Sequence, residues 1–281
     1  MNIEPIAYYH SSLPTKFGVP RQSGLVPELV GYVSFMPQYR NSDSLRGIEG
    51  FDYLWLIWGF SLNDRKSGAW SPLVRPPLLG GNEYMGVFAT RSPFRPNPLG
   101  LSSVRLIGVE EGSEGVMLIV AGADLVDGTP IYDIKPYVVY SDAHPSARSG
   151  FVDSNKWQTL DVVIPENMHV PFGDDDLRAL RKILELDPRP QYHDDPERVY
   201  GMPYSGYDVR FRVSCEGVLE VVGIVELKAF YPYTHKRGRQ YLSPLVNLFS
   251  GKVFSDVHES LYAAFGSFCE RLIAQFVLGN L

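Results

Sequence analysis

The stretch "LSSVRLIGVEEGSEGVMLIVAGADLV" (101–126) decides the fold class. Two apolar runs, 101–111 and 115–126, flank a Gly-Ser-Glu-Gly segment that reads as a hairpin turn. Valine and isoleucine at this density, broken by a glycine-bearing turn and not by a helical repeat, predict two antiparallel strands. Upstream, "FDYLWLIWGF" (51–60) is an apolar and aromatic run that suits a strand buried on both faces. "EPIAYYH" (4–10) and "YMGVFAT" (84–90) are shorter candidates. No helical pattern separates these strands, so an antiparallel barrel or sandwich is expected, not a βαβ sheet.

The bulk composition agrees. A chain of 281 residues, 44% hydrophobic and 21% charged, is an ordinary globular protein of one large or two smaller domains. Gly 26, Pro 22 and 13% aromatics favour β structure over a helical bundle. No run approaches 18 consecutive apolar residues, so no transmembrane helix is expected. "MNIEPIAYYHSS" lacks the basic and apolar regions of a secretory signal. Cys215 and Cys269 show no metal-ligand spacing and suit a reducing cytoplasm, the expected location. The net charge of −6 counts against a general nucleic-acid binder but leaves room for a local basic patch.

Residues 1–145 are expected to form the β domain, and 146–173 a linker with a strand near "LDVVIP". Residues 174–228 read as a small α+β domain. Its helix is "DDDLRALRKILELDPRP", capped by Asp174–Asp176, apolar along Leu177, Leu180, Ile183 and Leu184, and stopped by Pro188. "YDVRFRV" (207–213) and "VLEVVGIVEL" (218–227) form its hairpin around Glu216-Gly217. The tail, 229–281, is expected to carry a C-terminal helix from Asp256, with Glu259 completing a capping box. Its apolar stripe would pack on the body or on a partner chain.

Common catalytic signatures are missing. No G-x-G-x-x-G opens a helix after a strand, and there is no phosphate loop, H-E-x-x-H or G-x-S-x-G. Three loops stand out instead. In "RSPFRPNPLG" (91–100), Pro93, Pro96 and Pro98 hold Ser92, Arg95 and Asn97 extended. A stiff loop presenting Arg91 and Arg95 suits two-point recognition of a carboxylate or phosphate; the competing reading is ion pairing within the fold. Gly100 is expected to let the backbone approach a ligand. "ADLVDGTPIYDIKPY" (123–137) supplies Asp124 at a strand end, Asp127 in a turn-forming Asp-Gly-Thr-Pro, and Asp133. "KFGVPRQSGL" (16–25) places Arg21 and Gln22 in a third Pro- and Gly-bounded loop.

"GVFATRSPFRPNPLGLS" (86–102) with "DLVDGTPIYDIKPY" (124–137) closely resembles the TrmO/TsaA family. "VPRQSGL" (19–25), "VRPPLLGGN" (74–82) and "DPRPQY" (187–192) fit the same pattern in the same order, so the resemblance covers about residues 4–227. It implies a β-barrel methyltransferase without a Rossmann fold. The activity implied is S-adenosyl-L-methionine-dependent methylation of N6 of N6-threonylcarbamoyladenosine at position 37, beside the anticodon of a threonine tRNA. It also implies a homodimer with cofactor sites near the subunit contact. By motif, the cofactor contacts would fall on Arg21, Gln22, Arg91, Leu101, Ala123 and Asp124, while Asp187, Pro188, Arg189 and Pro190 would face the active site. The chain departs from the family at Ser61, where relatives often have a histidine.

On this reading Asp124 or Asp127 accepts the N6 proton. Arg91 holds the cofactor carboxylate, and Arg95 holds that one or the threonine carboxylate of the modified base. Lys236, Arg237 and Arg239, or Arg178, Arg181, Lys182 and Arg189, would meet RNA; a solvated surface is the competing reading for both clusters. Two other functions fit the same residues: a non-catalytic RNA-binding or regulatory protein of this fold, and a methyltransferase for a small nucleotide-like substrate.

Overall fold

A computed structural model describes residues 3–63, 70–112, 115–155, 157–190 and 195–227. In chain order these form β1 (Ala7–His10), β2 (Val30–Phe35), β3 (Tyr53–Gly59), β4 (Leu73–Val74), β5 (Met85–Gly86), β6 (Leu99–Gly112), β7 (Gly115–Ala121) and β8 (Thr129–Pro136). Then come α1 (Val139–Asp142), α2 (Phe151–Ser154), β9 (Asp161–Val163), α3 (Asp174–Glu185), β10 (Tyr200–Tyr204), β11 (Tyr207–Val213) and β12 (Val218–Glu226). The tail helix expected from Asp256 lies outside the described residues.

β6 and β7 form the expected hairpin, with Gly112 opposite Gly115. The first sheet runs β1-β2-β7-β6-β3-β8 and closes when β8 pairs back onto β1, so this barrel has no free edge strand. Every neighbouring pair in it is antiparallel. Alternate residues point inward, and Tyr9, Val33, Leu54, Leu56, Val104, Leu118, Val120 and Ile131 fill the interior.

The second sheet runs β10-β11-β12-β9, with the β12–β9 pair parallel. α3 covers it with Ala179, Leu180, Ile183 and Leu184, against Met202, Tyr204, Phe211 and Leu219. Leu13, Val26 and Leu29 also belong to this core, although they come from the segment between β1 and β2. The Ser205 N–H donates to the Ser12 carbonyl at 2.9 Å, joining that segment to the β10–β11 turn.

Several sequence expectations are corrected. β7 stops at Ala121, because Gly122 turns the chain with φ +77° and 122–128 is loop. The expected strand 84–90 is the two-residue β5 followed by a single 3-10 turn, Val87–Ala89. β2 and β8 were not expected as strands; β8 keeps its two prolines, Pro130 and Pro136, near its ends. Gly173 caps α3, with Asp174, Asp175 and Asp176 in the first turn, where they face the positive end of the helix dipole.

Candidate active site

The 122–128 loop is held against the segment before β2. The Gly24 N–H donates to the Gly122 carbonyl (2.8 Å), and the Gly122 N–H to the Leu29 carbonyl (2.9 Å). This brings Asp124 beside residues 21–24. Asp124 Oδ1 accepts from Ser102 Oγ at 2.5 Å, and Ser102 Oγ accepts from Trp58 Nε1 at 2.9 Å. Burial pushes the Asp124 carboxyl above the ordinary carboxylate range. The Ser102 hydroxyl, the backbone N–H groups of Asp124 and Ser23, and the positive charge of Arg91 oppose that push.

Arg91 Nη1 donates to Gln22 Oε1, so the arginine loop and the 21–25 segment meet beside Asp124. The loop itself is tied internally. Thr90 Oγ1 accepts the Ser92 N–H at 3.2 Å, and Ser92 Oγ accepts the Phe94 N–H at 3.3 Å. Arg95 turns back into its own loop: Nη1 donates to the carbonyls of Thr90 (2.8 Å), Val87 (3.4 Å) and Ser92 (3.5 Å), and the guanidinium lies 5.8 Å from the Phe88 ring. Through Nη1, Arg95 thus ties and stiffens its own loop.

Asp127 has a similar fate. Its Oδ1 accepts the Ser11 N–H (3.2 Å) and lies 3.2 Å from His10 Nδ1. His10 in turn stacks on Tyr32, with ring centroids 4.8 Å apart. The carboxylate pins the turn to the end of β1, which explains an Asp-Gly-Thr-Pro sequence without invoking chemistry. Asp133 pairs with Lys135 at 2.8 Å.

A cavity of about 490 Å³ is lined by three segments: Lys16, Gly18, Val19, Pro20 and Arg21; Arg75, Pro77, Gly80 and Gly81; and Leu186 to Pro190. It unites three motif segments far apart in sequence. Four cations (Lys16, Arg21, Arg75, Arg189) and one carboxylate (Asp187) line it. Arg21 donates to the carbonyls of Leu186 (2.5 Å) and Asp187 (2.7 Å) and stacks 3.8 Å over the Trp157 ring. Arg189 makes a two-point ion pair with Asp187, Nε to Oδ1 at 2.9 Å and Nη2 to Oδ2 at 3.0 Å. Asp187 itself sits in the left-handed region at φ +49°.

Of the expected cofactor contacts, Gln22, Arg91 and Asp124 come together. Arg21 is committed to the end of α3, Ala123 is buried, and Leu101 is 55% exposed on β6. At Gly100 the space on the Cβ side is filled by the indole: a Cβ there would lie 2.2 Å from Trp58 Cε2. Sequence reasoning missed Trp58 and Ser102; a serine at an inward strand position beside Val104 was the available signal. The helix cations are paired locally: Arg178 with Asp175, Lys182 with Glu185 (2.8 Å), and Arg181 with the Val162 carbonyl (2.7 Å). Lys236, Arg237 and Arg239 lie outside the described residues. Among the described residues no helix is long and apolar enough to cross a membrane, and no cluster of three metal-ligating side chains occurs.

Comparison with known proteins bears on this geometry. The tRNA-methyltransferase O N-terminal domain matches residues 8–143, and the TrmO C-terminal domain matches 170–227. A protein of Escherichia coli K12 named tRNA (adenine(37)-N6)-methyltransferase is 38% identical over 222 residues, covering 76% of this chain and 94% of its own length. One of the same name from Eikenella corrodens is 43% identical over 188 residues, covering 62% of this chain and 99% of its own. The crystal structure of TrmO from Pseudomonas aeruginosa superposes with a TM-score of 0.64 at 30% identity, over 80% of this chain and 98% of that one. Both parts of the described chain match in order and over nearly the full length of these relatives, and the chain belongs to the TrmO family.

Proposed function

We propose that the protein is an S-adenosyl-L-methionine-dependent methyltransferase that acts on N6 of threonylcarbamoyladenosine 37 in threonine tRNA, as a homodimer in the cytoplasm. The observation that carries this reading is the meeting of Asp124, Arg91 and Gln22, next in sequence to Arg21, which lines a cationic cavity built from three family motifs. The residues fit the cofactor. A cationic ligand with a carboxylate at one end needs an anion and a guanidinium close together, and Asp124 and Arg91 are coupled by charge.

When bound, the cofactor supplies a methyl group made electrophilic by a sulfonium. Arg91, steadied by Gln22, holds its carboxylate. Asp124 accepts the N6 proton; only a modest base is required, because that nitrogen is bonded to a carbonyl in the modified base. The cavity cations Arg75 and Lys16 receive the threonine carboxylate of the substrate. The proline-stiffened and Arg95-tied loop fixes the geometry, and in-line transfer tolerates little misplacement.

The test is a mass analysis of nucleosides from tRNA of a strain lacking the gene. Threonylcarbamoyladenosine should lose one methyl group, and the plasmid-borne gene should restore it. An unchanged profile rejects the reading. Methylation of a free nucleoside with no effect on tRNA would favour a small-molecule enzyme instead.

A further inference from the structure

Asp124 is not wired to its surroundings by one contact but by a short relay that begins on a different strand. Trp58, on β3, faces Gly100 across the β3–β6 ladder. A side chain at that position would collide with the indole, so the glycine lets the ring lie across β6 toward Ser102, two residues on. An indole N–H can only donate. Trp58 Nε1 donates to Ser102 Oγ at 2.9 Å and so occupies one lone pair of the hydroxyl. Ser102 is 1% exposed, which keeps bulk water from competing for its single hydrogen. The acceptor for that hydrogen is Asp124 Oδ1, 2.5 Å away.

We infer that Trp58 and Ser102 are positioning residues for methyl transfer. They force the serine hydroxyl to donate to Asp124 Oδ1 and thereby hold ionised and oriented the carboxylate that takes the substrate proton. This rests on the reading of Asp124 as the proton acceptor. The relay solves a specific problem. A carboxylate in this position is pushed toward its neutral form by burial, and a neutral carboxyl cannot act as a base. An ion pair with a directly bonded arginine would restore the charge but weaken the basicity. A neutral donor whose hydrogen has one place to go restores the charge at smaller cost in basicity. The other groups that act on the carboxylate are Arg91, from the proline-rich loop, and the backbone N–H groups of Asp124 and Ser23. Tyr9, from β1, is itself held far in its neutral form by burial, and it adds no charge.

The proposed step balances. As N6 bonds to the methyl carbon, the carbon–sulfur bond breaks with its electron pair going to sulfur. The N6 proton passes to the Asp124 carboxylate, and its bonding pair stays on nitrogen.

The experiment is a single-turnover pH profile with threonylcarbamoylated tRNA and saturating S-adenosylmethionine, on the full chain. Four proteins are compared: wild type, Ser102→Ala, Trp58→Phe and Asp124→Asn. Ser102→Ala removes one hydrogen bond to the ionised acid, and its acid limb should move up by about one pH unit, which lowers the rate about tenfold below the limb. Trp58→Phe keeps the ring against Gly100 but frees the hydroxyl to rotate, so its limb should move the same way by less. Folding is checked by circular dichroism, and Trp58→Phe serves if Ser102→Ala does not fold. Limbs that stay at the wild-type pH while the rate falls would show a packing role alone and overturn the inference. If Asp124→Asn turns over at the wild-type rate, or the wild type has no acid limb, the underlying reading of Asp124 fails instead.

Discussion

Arg21 grips the main chain at Asp187: its Nη2 donates to the Asp187 carbonyl at 2.7 Å while Nη1 reaches the Leu186 carbonyl. Those carbonyls belong to the end of α3, where backbone acceptors have no partner within the helix. A loop residue of the barrel thus completes a helix of the second sheet. Arg21→Lys should destabilise the protein by about 1–3 kcal/mol, because a point ammonium cannot span two carbonyls or stack on Trp157. Chemical denaturation reads this directly, and an unchanged midpoint would show that the contact is idle.

Asp187 carries two loads, a left-handed backbone and the ion pair with Arg189. Asparagine tolerates that backbone region better than alanine does. Asp187→Ala should therefore cost more stability than Asp187→Asn, by about 1 kcal/mol. Both should raise KM for tRNA more than they lower kcat, since Arg189 lines the cavity. Equal stability losses would mean that the backbone strain is negligible.

Gly100→Ala should disturb Trp58 before anything else. Overpacking of this kind costs about 1–3 kcal/mol. The variant should show an altered tryptophan emission spectrum and a fall in turnover while cofactor affinity changes little. Wild-type emission with wild-type turnover would mean that the indole has another place to go.

Asp124 gives a stability signature with a definite sign. Its folded pKa is raised by burial, so the folded state favours the protonated acid. Its contribution to stability is full below the ordinary aspartate pKa and is lost as pH climbs through the raised folded value. Asp124→Asn, which stays neutral, should melt above the wild type at neutral pH, with the gap closing in acid. Such a variant should be stabler and inactive. A melting temperature below wild type at neutral pH would contradict the burial effect.

Legibility from sequence followed the range of the interactions. The β6–β7 hairpin and α3 were readable because a turn signal and a helical repeat are local. β8 was not, since Pro130 and Pro136 look like turn residues until β1 pairs with 129–131 and β3 with 131–136. Loop chemistry singles out Asp124, Arg91 and Gln22 in the sequence, and the structure brings the three together. For Arg95 and Asp127 the structure adds contacts that the sequence does not mark: the Thr90 carbonyl for Arg95, and the Ser11 N–H and the His10 ring for Asp127. Trp58 and Ser102 were passed over because strand residues were taken for packing, and the pairing that joins them to Asp124 spans three elements.

Leu13, Val26 and Leu29, from the segment between β1 and β2, enter the core beneath α3, each at most 1% exposed. The second sheet is therefore not a cassette that recombination can exchange at a single crossover after the barrel. A chimera of two family members joined there would inherit a mismatched core. A viable exchange must carry residues 11–29 with it, so the unit of inheritance in this fold is discontinuous in the gene.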